Sequence, residues 1–213
     1  MNYELLNHIF KFLSVYNSVN EYQTILKIVL FLVKFEKKVL KRNKYILISV
    51  LIVITALSNI FLSNIPNFSP IAAVALFSGF YFSNKKLALV IPISCMLISD
   101  LIIGFHSLMW AVYLSFSLIV VLGFFMKTTS PKKVMLNSIW SSILFFLITN
   151  FAVWATGTYY SKDLSGLTLC FTMGLPFFKY TLLSSIIFST VLFGGFEIIN
   201  QLTAKYLPVS EKS

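Results

Sequence analysis

PIAAVALFSGFYFS, residues 70–83, is an apolar run that is too short. As a helix rising 1.5 Å per residue it covers about 21 Å, against the ~30 Å of a bilayer's hydrocarbon core. A helix this short leaves non-helical chain at membrane depth, which is tolerated only where protein or a wet cavity covers it. The preceding stretch SNIPNFSP, residues 63–70, carries two prolines and two asparagines and fits such a loop. Within the run, Ala75 and Gly79 form a small-xxx-small pair that suits close packing against another helix.

The rest of the chain sets this run in a membrane. Of its 213 residues 58% are hydrophobic and 11% charged, with a mean hydropathy of +0.86, far more apolar than a soluble domain of this length. Hydropathy marks six spans, at 45–63, 70–83, 87–105, 108–126, 134–156 and 177–200. The runs are continuously apolar rather than alternating, which excludes a transmembrane β-barrel. The expectation is an all-α integral membrane protein with three parts: a basic arm at 1–43, a six-helix membrane domain at 44–207 and a short tail at 208–213. The N-terminus, with Glu4, His8 and Lys11, does not read as a cleavable signal. Cys95 and Cys170 sit in apolar surroundings and read as reduced, buried thiols.

Charge sets the expected orientation. With the N-terminus inside, 15 of the 17 lysines and arginines fall in inner segments, and only Lys162 and Lys179 lie outside. The positive-inside rule then places both termini in the cytoplasm, N-in and C-in. This bias also accounts for the net charge of +10, and no nucleic-acid motif accompanies it. In the arm, Lys27, Lys34, Lys38 and Lys41 form one stripe, as expected of a surface helix over 24–41 whose lysines meet anionic membrane lipids. GLTLCFTMGL, residues 166–175, is cut off by Gly174 and Pro176 and reads as a half-helix at the outer surface.

With that topology, polar residues from several helices meet at one depth. Asp100 lies about one turn below the outer end of span three, and His106 occupies the next turn. Asn150 and Trp154 are four apart in the last turns of span five, Lys179 begins span six, and Tyr159 stands in the loop above. Together they form the candidate substrate-binding set. Trp and Tyr at such levels also serve as interfacial anchors, Lys179 can snorkel, and Asp100 and Lys179 can simply pair. Asp100 and Asn150 are too short to snorkel well, and lipid rejects them from its own face. Catalytic templates are absent: there is no HExxH, GxSxG, CxxC, Walker lysine loop or paired acidic motif. The expectation is a protein that is not an enzyme and has no cofactor and no metal.

PNFSPIAAVALFSGFYFSNKK, IPISCMLISDLIIGFH, FFLITNFAVWATGTYY and GLTLCFTMGLPFF together resemble a family of uncharacterised bacterial six-helix membrane proteins, over roughly residues 45–200. That family in turn is similar to the S components of energy-coupling-factor transporters, the membrane subunits that capture micronutrients. The shared features are six helices, both termini inside, a short second helix after a Pro-containing loop, and an acidic residue closing the third. The resemblance implies a multi-pass protein of the bacterial inner membrane with an S-component-like bundle. Its pocket would open outward, between the outer ends of helices four to six and the loops after helices one, three and five, and would bind a small-molecule solute. The implied partners are a transmembrane coupling subunit and cytoplasmic ATPases. One feature departs from that pattern: ISVLIVITALSN on helix one offers no clean Ala-xxx-Ala docking pair. Two rival classes stand beside it, a proton-linked secondary transporter using Asp100 and a non-transporting six-helix scaffold.

Overall fold

The structure is a computed structural model that describes residues 44–206, and these form six α-helices. They are α1 (Lys44–Phe61), α2 (Ile71–Tyr81), α3 (Lys85–Ile103), α4 (Met109–Phe124), α5 (Pro131–Thr156) and α6 (Leu164–Tyr206). The basic arm at 1–43, with its expected surface helix at 24–41, and the tail at 208–213 lie outside the described residues. Three helical segments are long and apolar enough to cross a membrane: α3, α5 and Leu164–Ile198 of α6. α1, α2 and α4 supply shorter apolar stretches, and the surface carries many large apolar side chains, among them Leu101, Ile102, Phe105 and Phe151. Both features fit a membrane protein.

The short apolar run becomes the centre of the bundle. All nine residues from Ile71 to Gly79 are buried, as expected of a helix that is apolar all round. Among the described residues α2 packs against each of the other five helices, which follow one another around it in the order α1, α3, α4, α5, α6. The closest approach is to α4. A Cβ on Gly79 would lie 2.2 Å from the Val120 carbonyl oxygen, and one on Gly123 would lie 2.5 Å from that of Leu76. Only two glycines facing each other let these backbones meet. The Ala75/Gly79 pair is therefore occupied within the chain.

α2 also repairs a defect in α3. Pro92 lies inside α3 and has no N–H, so the Ala88 carbonyl has no backbone donor one turn on. The Ser78 hydroxyl of α2 lies within hydrogen-bonding reach of it at 2.9 Å, at a fully buried position. On the other side of α3, Cys95 and Ser99 reach toward the Ile52 and Ala56 carbonyl oxygens of α1, at 3.7 and 3.4 Å. Both cysteines are free and buried. Most other hydroxyls donate to the carbonyl one turn back in their own helix, as Ser115, Ser138 and Thr149 do, and so tolerate apolar surroundings.

The expected half-helix at 166–175 is corrected. Those residues run without a break into the last span, giving one helix of 43 residues with Pro176 inside it. Proline removes a single backbone hydrogen bond. In apolar surroundings, ending the helix would strand several more carbonyls and amides. Gly174 has a packing role instead of a breaking one: a Cβ there would lie 2.3 Å from the Asn150 side-chain oxygen of α5.

Gly123→Val should destabilise the protein by about 1–3 kcal/mol or more, because its side chain has only backbone to push against. Gly194→Ala is the control, since nothing lies within 4 Å of a Cβ there, and helix propensity should raise stability by about 0.5–1 kcal/mol. Thermal unfolding of the purified protein checks both, and equal effects would mean that the α2–α4 contact is not tight.

Candidate functional site

A helix of 11 residues is about 16 Å long, while the 26 residues of α5 run about 39 Å. The central helix therefore ends before its neighbours do, and the ring encloses a space over its first turn. This space is a cavity of about 260 Å³ at the end of the bundle where α1, α3 and α5 finish. Every helix contributes to it: Asn59 from α1, Ala72 from α2, Met96 from α3, Phe116 from α4, Phe145 from α5 and Thr181 from α6. The loop between α1 and α2 forms its roof.

That roof is built by local chemistry. Asn67 takes a left-handed backbone, φ 59°, which asparagine tolerates better than most residues, and turns the chain over the cavity. Phe68 is buried and meets Phe188 of α6 edge to face, with ring centroids 5.7 Å apart. The Ser69 hydroxyl oxygen accepts the Ile71 N–H at 3.2 Å and so caps the start of α2. Exposed Ser63, Asn67 and His106 stand at the mouth. On the floor, Ser184 donates to the Thr181 carbonyl, and the Thr181 hydroxyl faces that of Phe177 at a longer 3.4 Å.

The six candidate residues named from the sequence fall in different settings. His106 lines the cavity, whereas Asp100, Asn150, Trp154, Tyr159 and Lys179 are not among its walls. Asp100 is 4% exposed, and its Oδ2 accepts the Tyr113 hydroxyl at 2.9 Å. That bond ties α3 to α4 across the turn that begins at Gly104, whose φ of 116° suits glycine. Asn150 donates to the Phe146 carbonyl in its own helix and packs against Gly174. Trp154 donates from Nε1 to the Ser161 carbonyl at 2.9 Å, and the Lys162 ammonium sits over its ring while also contacting its carbonyl. Tyr159 is 90% exposed, and Lys179 is exposed with its ammonium over the Tyr180 ring. The structure thus separates into a cavity, an α3–α4 tie and a pinned α5–α6 loop.

Sequence reasoning missed Asn59, Phe68, Phe116, Phe145, Thr181 and Ser184. The α6 pair had a signal in TLLSSIIFST, residues 181–190, where small polar residues recur at helical spacing in an apolar run. A second groove of about 350 Å³ lies between α5 and the first part of α6, lined by Phe146, Leu167, Phe171 and Leu175 with two threonines. Thr168 and Thr172 both donate to their own helix, which leaves this trough little with which to orient a solute.

Asp163 closes the α5–α6 loop from the other side. Its Oδ1 accepts the Gly166 N–H at 2.7 Å and the hydroxyls of Ser165 and Ser161 at 2.8 and 2.9 Å, which caps the start of α6. These bonds, the backbone one foremost, hold its carboxyl below the usual carboxylate range. A depressed folded-state value contributes stability that is present above the ordinary pKa and is lost as pH falls through the folded value. Hydrogen exchange should therefore show protection of the Gly166 amide falling as pH drops below about 3.8. Asp163→Asn should remove that pH dependence, and its persistence would assign it to another group.

Tyr113→Phe deletes the partner of the Asp100 carboxyl at a buried site and should cost about 1–3 kcal/mol. The loss should shrink when Asp100 is already replaced by leucine, and a double-mutant cycle measures this coupling. Additive effects would mean that the bond does not hold α3 to α4.

Comparison with curated proteins gives no match, and comparison with solved structures gives none either. A family model does match, over residues 40–207, which spans every helix described above. The chain belongs to DUF6580, a family of unknown function.

Proposed function

We propose that this protein is a solute-capture subunit of the bacterial inner membrane, in which six membrane-crossing helices hold a small molecule in the cavity above α2. The observation that carries this reading is the convergence of all six helices and two loops on one cavity with an open mouth. A closed packing unit has no need to leave such a space. Small-molecule sites combine apolar walls with a few placed polar groups, as this one does.

The charge pattern supports an outward mouth. Lys85, Lys86, Lys127, Lys132 and Lys133 all lie at the opposite end of the bundle, which the positive-inside rule assigns to the cytoplasm along with both termini. The resemblance to S components supports a transmembrane coupling subunit and cytoplasmic ATPases as partners, with capture rather than catalysis as this chain's task. Docking would use a surface other than Ala75/Gly79, which Gly123 occupies. Asp100, sealed against Tyr113, is poorly placed as the carrier of a proton-linked transporter.

Native mass spectrometry of the gently purified full chain should find a small molecule bound. Val112→Phe fills part of the cavity wall and should lose that molecule while the chain stays folded. The released compound, added back at about a hundred times its Kd, should stabilise the wild type by about 2.7 kcal/mol in thermal unfolding. A wild-type chain that holds no small molecule would move the scaffold reading ahead.

A further inference from the structure

The cavity's lining also constrains what it can hold, on the reading that it is a capture site. No Asp, Glu, Lys or Arg is among the described residues that line it, and His106 at the mouth is its one titratable side chain. A charged solute would leave water without gaining an opposite charge, at a cost of several kcal/mol. The walls carry three aromatic rings, Phe68, Phe116 and Phe145. Flat rings pack against such faces and edges better than branched or flexible chains do.

The floor has a hydrogen-bond polarity. Thr181 and Ser184 line the cavity; the Ser184 hydroxyl gives its proton to the Thr181 carbonyl at 3.0 Å, and the Thr181 hydroxyl faces the Phe177 carbonyl at a longer 3.4 Å. What they still offer is oxygen lone pairs. A solute group resting on them must therefore donate, as an N–H or O–H does, and a bare carbonyl there would meet only acceptors. At the mouth, His106 and the amides of Asn59 and Asn67 can both donate and accept, so they constrain the outer end less.

Size completes the description. A dry apolar cavity of about 150 Å³ holds benzene, and sites for drug-sized ligands begin near 300 Å³. The 260 Å³ here falls between the two, enough for one ring or two fused rings with small substituents. We propose that the solute is an uncharged one- or two-ring compound that stacks its ring on the phenylalanine walls and presents an N–H or O–H donor to Thr181 and Ser184. Nucleotides, amino-acid zwitterions and polyamines carry charges that the lining does not match.

Isosteric probes separate charge from shape. The full-length protein in nanodiscs at pH 7 is titrated with benzamide, benzoate and benzamidinium, and with the three matching naphthalene compounds. At least one neutral amide should bind, tenfold or more tighter than both of its charged isosteres. Ser184→Ala keeps the helix and removes one acceptor, and should weaken that amide roughly three- to tenfold. Its N,N-dimethyl form has no donor and should bind more weakly to the wild type and be insensitive to Ser184→Ala. Equal or tighter binding of benzoate or benzamidinium would overturn the uncharged class while leaving capture intact. Binding by none of the six would overturn the ring class, and the co-purified molecule would then judge capture separately.

Discussion

The contact between Gly79 and Gly123 is the constraint on which the rest of the bundle depends. Two backbones pass so closely there that either Cβ would overlap a carbonyl oxygen. That approach draws α4 onto α2 and seals one side of a helix that has no polar face to give to solvent or headgroups. Its other sides must then be covered as well, and α1, α3, α5 and α6 do so in turn. The aromatic cluster at the far end, where Phe77 meets Phe193 and Phe196 edge to face, closes the α2–α6 side. In a lipid setting, where apolar attraction between helices is weak, such close packing supplies much of the association.

A short helix at the centre of longer ones has a geometric consequence. The outer helices continue past its first residue, and the volume between them must be filled by side chains, by loop or by solute. Here the loop at 62–70 covers it, pinned by Phe68 on Phe188, and leaves a cavity beneath. The strained position at Asn67 and the cap from Ser69 make this cover a defined structure rather than slack chain. The cavity and the fold thus share one cause.

Most polar groups among the described residues of this apolar chain are satisfied locally. Most hydroxyls donate to their own helix, the carbonyl freed by Pro92 is met by Ser78, and the Asp100 carboxyl is met by Tyr113, whereas the buried hydroxyls of Tyr81, Ser185 and Ser189 have no partner among the described residues. Each bond made avoids an unpaired buried group, which costs more than a hydrogen bond returns. At the cavity floor the same habit has a side effect, because hydroxyls that have spent their protons can only accept. The bonding that lets serine and threonine sit in α6 thereby leaves oxygen lone pairs facing the cavity.

The sequence alone determined the apolar helical character, the six apolar segments, the brevity of the second and the irregular loop before it. These depend on composition and on spacing along the chain, which hydropathy reads directly. It also flagged Ala75/Gly79 as a close-packing pair, and Gly79 does meet the α4 backbone at Val120 and Gly123. The tertiary structure decided who meets whom. Hydropathy places a residue at a depth, but its direction around a bundle depends on which helix stands in the middle. With α2 central, Asp100 turns to Tyr113, Asn150 to Gly174 and Trp154 to its own loop, while Phe116, Phe145, Thr181 and Ser184 turn to the cavity. The continuity of α6 through Pro176 was decided in the same way, since the cost of breaking a helix is set by what surrounds it and not by the proline alone.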